Sequence, residues 1–525
     1  MRILALYPNS YGYHRVPTGL VILMTLLRRA GHTLDLFDTT FFASSNTDND
    51  LREKAGVVKP VAMPFAYEGL SDDAVGALFR DKLAAFRPDL VIVTLIEDNY
   101  RYGDRFLRMV KAFDPALPVL VGGPTPTAAP MVVIEHPCID YLIQGEGEEA
   151  IVEFCELLEQ GRDVQGVANL WTMRDGRPHG NPLRPFIDMN DLPVYDMTLW
   201  DERHMLKPYD GRVWRTGYFE SSRGCPFQCT YCVNPTIQNE LSSAGRFFRR
   251  KSPERTVAEA RLHKERHGLE RVVFCDDNFL LMSPAQFADY ARVFVPLWTR
   301  EVGLPYWIST SAEFIRRETL EMLTATGCDG IGLGVEAGGE WFRRHVLRRN
   351  LSNERLVDTF RLIHEYGIRT TANVMIGFPG EIESDIMDTI RLLRRIAPRS
   401  FDVSFASPYV GTGIQRVAAK LGLIELSDAP GFRGMAAEIA FRGRPTIRNP
   451  DIPERRLIEI QDGFADFVLD RRPLPETPVG ARGEHSLAVA RLMETERLAP
   501  PQNPAARRRQ GQSGEGSTKV TGVSA

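Results

Sequence analysis

The chain has 525 residues, 43% of them hydrophobic and 25% charged, with a net charge of −4. That is long enough for two or three domains with separate cores, and it lacks the basic excess that binding to nucleic acid demands. No apolar run reaches the length of a membrane span: the longest, Leu20 to Leu27, is interrupted by Thr25 and stopped by Arg28-Arg29.

The N-terminus from Met1 to Tyr7 reads as a buried strand rather than a signal peptide, and seven cysteines in so long a chain point to a reducing, cytoplasmic setting. A helix from about Leu20 to Ala30 follows, ended by Gly31, and then a strand at Thr33 to Asp38. Further strand and helix steps bring in Pro88 to Thr94, Pro118 to Val121 and Ile139 to Ile143. This alternation predicts a doubly wound parallel, Rossmann-like sheet over residues 1–160, with ligands bound beyond the carboxyl ends of the strands. Two glycine-rich turns fall at those ends, Gly122-Gly123-Pro124-Thr125 and Gln144-Gly145-Glu146-Gly147-Glu148. Glycine there admits close approach of a ligand, and tight turns need it as well.

Residues 161–215 form an irregular, proline-rich connection with a hairpin at Trp171 to Arg177. From 216 to 425 strands and helices alternate again in six β/α units, predicting a partial barrel whose chemistry sits at the carboxyl ends of its strands. Its first loop carries Cys225, Cys229 and Cys232 in the spacing C-x3-C-x2-C, with Tyr231 before the third cysteine. Three thiolates on one loop suit an iron–sulfur cluster, whereas structural zinc wants a fourth ligand, for which His263, His267 and Cys275 are the nearest candidates. Asp276, Asp277 and Glu336 stand at later strand ends, as does the turn Gly377-Phe378-Pro379-Gly380-Glu381. Carboxylates at such positions also cap helices. His263, His267 and the arginine pairs 343–344, 348–349 and 394–395 read as solvated helix faces. Residues 426–475 form a small helical segment with an amphipathic helix from Pro453 to Leu469, and the Pro-, Gly- and Arg-rich residues 476–525 read as a disordered tail.

The cysteine loop resembles that of the radical S-adenosylmethionine (SAM) superfamily. With the GGP-x-PT and GEGE elements upstream, the chain is similar to its cobalamin-dependent branch, class B methyltransferase-like, with an N-terminal B12-binding domain. The resemblance covers about residues 1–425. It implies that Cys225, Cys229 and Cys232 hold a [4Fe–4S] cluster whose fourth iron takes SAM. Asp276, Asp277, Glu336, Gly377 and Pro379 would then lie around SAM, and Gly122, Gly123, Thr125, Gly145, Glu146 and Gly147 around cobalamin. No D-x-H-x-x-G motif for histidine ligation of cobalt occurs; His14 is the only nearby imidazole, so the resemblance implies cobalamin with its own base displaced. The N-terminal region lacks the cysteines of a methylthiotransferase, since it offers only Cys138 and Cys155, the latter on a core helix face. The implied activity is methyl transfer from SAM by way of methylcobalamin to an unactivated carbon of a small biosynthetic or natural-product substrate. An external electron donor of flavodoxin or ferredoxin type would reduce the cluster. A radical cyclase or ring-rearranging enzyme, or a non-catalytic cobalamin or iron–sulfur sensor, would share the same motifs.

Overall fold

The computed structural model describes residues 1–12, 15–45, 52–439, 443–475, 482–496, 498 and 501–503. Two seven-stranded sheets dominate it, in the order β2-β1-β3-β4-β5-β6-β7 and β16-β15-β14-β13-β12-β9-β8.

The first sheet begins with β1 (Arg2–Tyr7), β2 (Thr33–Asp38), β3 (Leu90–Thr94), β4 (Val119–Gly122) and β5 (Tyr141–Ile143), all parallel. Ile3, Leu4, Ala5 and Leu6 have no exposed surface, as expected of a strand covered by helices on both faces. The parallel order 2-1-3-4-5 places ligands above β1 and β3, where the winding reverses. The hairpin expected in the connection becomes β6 (Leu170–Arg174) and β7 (Arg177–Gly180), which extend this sheet antiparallel beyond β5. The sheet therefore runs past residue 160. Trp171 draws the hairpin in: its ring is buried, and its indole N–H donates to Gln144 Oε1 at 2.9 Å.

The second sheet opens with β8 (Leu206–Tyr209) antiparallel to β9 (Arg212–Phe219). A short ribbon of β10 (Ser222–Arg223) and β11 (Arg249–Arg250) flanks the cysteine loop. Then β12 (Arg271–Phe274), β13 (Tyr306–Thr310), β14 (Cys328–Glu336), β15 (Arg369–Ile376) and β16 (Ser400–Phe405) follow in parallel with β9. These six parallel strands are the expected partial (β/α)6 barrel.

Four expectations of exposure fail, each because a neighbouring segment covers the residue; one of them, Arg349, is an ion-pair partner of Glu336 with only 10% of its side chain exposed, and belongs to the site described below. His263 is buried, packed on Tyr195 and Phe219 with ring centroids 4.1 and 5.2 Å away, and burial pushes its pKa down to about 3. It is a neutral core residue under the 161–215 connection. Arg343 is also wholly buried, its guanidinium donating to the carbonyls of Ala337 and Leu351. The last failure lies in the tail. Glu484–Thr495 is a helix whose Val489, Ala490 and Met493 form an apolar stripe against the barrel, while buried Ser486 donates its hydroxyl to Gly380 O at 2.6 Å. Arg482 fixes its start on Asp385, with one bond of 2.9 Å, and Arg348 donates to the carbonyls of Met493 and Glu496. Composition hid this helix, because four small or apolar side chains at helical spacing suffice to dock it. Arg507 to Arg509 lie outside the described residues, as does His14.

Val489 has no exposed surface and meets Gly380 of the Gly377–Glu381 turn. Val489→Asp buries an unpaired charge there and is expected to release residues 482–496 to limited proteolysis while leaving far-ultraviolet dichroism unchanged. Unaltered protease resistance would contradict the docking.

Candidate functional site

The cysteine loop leaves β9 at Glu220 and is anchored on both sides before it reaches the thiols. Asp276, at the end of β12, accepts from the backbone N–H of Ser221 at 2.9 Å and from the N–H of Ser222. It also accepts from both serine hydroxyls, at 2.9 and 2.6 Å. Both its oxygens are thereby committed, so the expectation that Asp276 contacts SAM gives way to a positioning role. Asp277 differs. It is solvent-accessible on the cleft wall, and it accepts from the Gly224 N–H and from Asn234 across the cysteine loop.

Within the loop, buried Thr230 donates its hydroxyl to Val346 O at 2.7 Å and accepts at its carbonyl from the Ile414 N–H. Cys225, Cys229 and Cys232 are free thiols of intermediate exposure on a loop fixed in this way. Burial pushes Cys225 up to about 11 and Cys232 to about 12, and raises Cys229 as well. Thiols so disfavoured as free thiolates suit a metal that takes their protons' place. Among the described residues no three such donors converge on a single ion. Cluster ligation does not require that, because each thiolate binds a different iron.

Glu336 ends β14 in the left-handed conformation, φ 65°, beside a register shift in the pairing with β15. A non-glycine residue held there is strained, and such strain collects at ligand sites. Its carboxylate pairs with Arg349 at 3.0 Å, and Arg349 reaches the Tyr231 hydroxyl between the second and third cysteines at 3.4 Å. A Cβ on Gly334 would collide with this carboxylate, so the glycine makes room for the pair. The Gly377–Glu381 turn closes on itself: Glu381 accepts from the Gly377 N–H at 2.6 Å and the Phe378 N–H at 3.2 Å. Pro379 is buried beside them. Cysteine loop, Asp277, Glu336 and this turn thus all lie at the carboxyl end of the barrel strands.

At the matching edge of the first sheet, Gly123 has φ 110°, and a Cβ there would lie 2.8 Å from Leu95 O. The next residues interlock: Thr127 donates to Gly123 O at 2.8 Å and accepts from the Gly145 N–H at 3.1 Å. Thr125 is buried under this turn, whereas a Cβ on Gly122 would meet only ordinary contact. Gly145 packs on Leu241 and Gly147 near Leu23. Ile96 after β3 and Tyr11 after β1 remain 43% and 39% exposed on the same edge. Apolar surface of that size, beside the buried and unpartnered Glu97 Oε1, suits a broad ring with polar amide arms.

Glu146 was expected among the cobalamin contacts, and the structure uses it otherwise. It pairs with Arg223 at 2.9 Å and Arg249 at 2.7 Å, and accepts from the Ile187 N–H at 3.0 Å. Arg223 pairs in addition with Glu148 at 2.8 Å and Glu220 at 2.7 Å. Three carboxylates from two domains therefore meet one guanidinium two residues before Cys225. Burial alone would raise Glu220, but Arg223 outweighs it and holds the carboxyl below its usual range. Arg223, Arg249 and Arg349 were not read from sequence as site residues. The complementary runs GEGEE and SSRGC are the signal that points to the first.

A Radical SAM superfamily model matches residues 219–393, and a B12 binding domain model matches residues 71–155. An uncharacterized methyltransferase of Pyrococcus horikoshii is 24% identical over 363 residues, covering 68% of this chain and 75% of the relative. An anaerobic magnesium-protoporphyrin IX monomethyl ester cyclase of Rubrivivax gelatinosus is 24% identical over 351 residues, covering 65% and 59%. In fold, the chain is similar to the radical S-adenosylmethionine methyltransferase TsrM from Kitasatospora setae, with a TM-score of 0.64 at 17% identity over 98% of both chains.

A second link between the domains lies at the same edge. Glu97 Oε2 accepts from the Val410 N–H at 2.7 Å, and the Tyr409 hydroxyl donates to Asp98 at 2.9 Å. Burial pushes the Glu97 carboxyl up to about 7, against the pull of the Val410 N–H. The folded state thus holds the proton more tightly than the unfolded chain. This stabilisation is complete below about pH 4.5 and is lost as pH rises toward 7, by roughly 3 kcal/mol at most. Hydrogen exchange at the Val410 amide, corrected for intrinsic rate, is expected to lose protection across that window in the native protein and to stay level in Glu97→Gln. A level profile in both would contradict the assignment.

Proposed function

We propose that this chain, which belongs to the radical SAM superfamily and carries a B12 binding domain upstream, is a cobalamin-dependent C-methyltransferase acting on a small molecule. One observation carries the reading. The ligand edge of the first sheet and the cysteine loop at the mouth of the barrel are tied to each other through Glu146, Glu148 and Arg223.

On this reading Cys225, Cys229 and Cys232 hold a [4Fe–4S] cluster, and Asp277, Glu336, Gly377 and Pro379 line the SAM side. Gly122, Gly123, Thr125, Gly145 and Gly147 shape the cobalamin edge. When bound, the cluster with SAM supplies a hydrogen-abstracting radical, and cobalamin supplies a methyl group. The protein's own part is positioning and exclusion. Asp276 fixes the start of the cysteine loop through four hydrogen bonds, and Thr230 fixes its middle. Arg349 holds Glu336 at the rim, while Asp277 offers carboxylate oxygen to polar hydrogens. The Glu97 and Asp98 contacts to Val410 and Tyr409 close the domain boundary, as a radical reaction requires if water and side reactions are to be kept out. A flavodoxin- or ferredoxin-type protein serves as electron donor.

A cyclase reading has one observation in its favour, the cyclase relative with 24% identity. The two part on products. Holoenzyme incubated with SAM, reductant and candidate substrates is expected to give methylated product, S-adenosylhomocysteine and 5′-deoxyadenosine, and Cys229→Ala none of the three. Turnover with 5′-deoxyadenosine but no S-adenosylhomocysteine would replace methyl transfer by cyclisation.

A further inference from the structure

Trp307, on β13, is not packed as a core tryptophan. Trp171 and Trp298 are buried, and their N–H groups donate to Gln144 Oε1 at 2.9 Å and to Leu304 O at 3.3 Å. Trp307 keeps accessible surface, and among the described residues its N–H has no acceptor and its ring no aromatic neighbour. Burial of a tryptophan ordinarily brings its N–H a partner.

The strand register puts this ring inside the barrel. Val273, Trp307, Ser309 and Asn373 share the inward face of β12, β13 and β15 and retain accessible surface, while Ile308, Thr310, Ala372 and Val374 turn outward and are buried. The floor is closed by Arg271, which pairs with Asp329 at 2.7 Å and lies 3.6 Å over the Tyr209 ring. On β14, a Cβ at Gly330 would lie 2.5 Å from the Tyr209 hydroxyl and 2.6 Å from Trp307 Cδ1. A Cβ at Gly332 would lie 2.4 Å from Trp307 Cζ2 and 2.8 Å from Cη2. Neither glycine has a positive φ, so what the chain needs at both positions is space. The indole therefore lies along the two glycines, and its other face turns to the barrel interior.

Two polar side chains flank that face. Ser309 is level with Gly332, and exposed Asn373 is level with Gly334, about 7 Å nearer the strand ends. Neither side chain has a hydrogen-bond partner among the described residues. The Glu336 carboxylate and Arg349 stand over Gly334, so Asn373 lies between the indole and the rim that holds the cysteine loop. Its carboxamide offers a donor and an acceptor side by side.

We propose that Trp307 is the platform on which the substrate lies, and that the substrate carries a flat, unsaturated ring with an amide-like edge directed to Asn373 and Ser309. This rests on the barrel interior being the substrate chamber of the proposed methyltransferase. A ring stacked on the indole supplies its missing aromatic neighbour, and a paired donor and acceptor satisfies the carboxamide. A mostly apolar wall with a few placed polar groups is the usual make-up of a small-molecule site.

The test measures binding of two lactams to anaerobic holoenzyme by equilibrium dialysis: quinolin-2-one, and its fully hydrogenated counterpart, which keeps the amide edge and loses the flat ring. The flat lactam is expected to bind roughly fivefold more tightly, with the preference kept in Trp307→Phe and gone in Trp307→Leu. Asn373→Ala is expected to weaken both lactams roughly fivefold and leave their ratio unchanged, a split that general loosening of the barrel would not give. The proposal is overturned by binding of neither lactam, by equal binding of the two, by a preference that survives Trp307→Leu, or by unchanged affinity in Asn373→Ala. Asn373 is exposed, so if Trp307→Leu loses its fold by circular dichroism, the wild-type ratio and Asn373→Ala decide alone. Wild-type cobalamin absorbance and 5′-deoxyadenosine release are recorded alongside. Their absence with the ring preference intact would sink the methyltransferase reading and leave the platform standing.

Discussion

Arg223 is the contact on which the arrangement depends. One guanidinium, with its side chain 17% exposed, receives Glu146 and Glu148 from the first domain and Glu220 from the strand that leads into the cysteine loop. Desolvating four charges is costly, and it is tolerable here because each carboxylate finds a donor at hydrogen-bond distance. Breaking such a group by removing one partner typically costs about 3–5 kcal/mol, since the others are left buried and uncompensated. The cluster favours one orientation of the domains for a geometric reason: a planar fork accepts carboxylates only along a few directions.

The rest of the site is built outward from that pin. Ser222 and Arg223 pair with Arg250 and Arg249 in a short ribbon, and Asp276 gathers the N–H and hydroxyl groups of Ser221 and Ser222. The backbone is therefore already fixed when it reaches Gly224. On the far side, Tyr231, Arg349 and Glu336 tie the cysteine loop to the end of β14. The strained backbone of Glu336 and the missing side chain of Gly334 both serve that one ion pair. At the other end of the interface the Glu97 and Asp98 contacts with Val410 and Tyr409 meet the loop that leaves the last barrel strand.

Much of this was legible in sequence because it is carried by local pattern. The parallel strands announce themselves as short apolar runs between helical periods, and the three cysteines by their spacing. What escaped is what tertiary contact decides. Glu146 in a GEGE turn looks the same whether it faces a ligand or an arginine from another domain. Asp276 and Asp277 are adjacent in sequence, yet one is spent on four hydrogen bonds and the other lies open to the cleft. His263 on a charged helix gives no hint that the 161–215 connection will cover it. The helix Glu484–Thr495 was masked by proline, glycine and arginine around a stripe of four small or apolar residues.

The central claim is that one chain holds two metal cofactors, one on each side of the Arg223 cluster. Its most direct test is anaerobic reconstitution with iron, sulfide and hydroxocobalamin, followed by desalting and elemental counting of iron and cobalt per chain. The account predicts about four irons and one cobalt. It also predicts that Cys225→Ala, Cys229→Ala and Cys232→Ala lose the iron and keep the cobalt. Four irons with no cobalt would contradict the cobalamin assignment, and iron retained after loss of all three thiols would contradict the cluster.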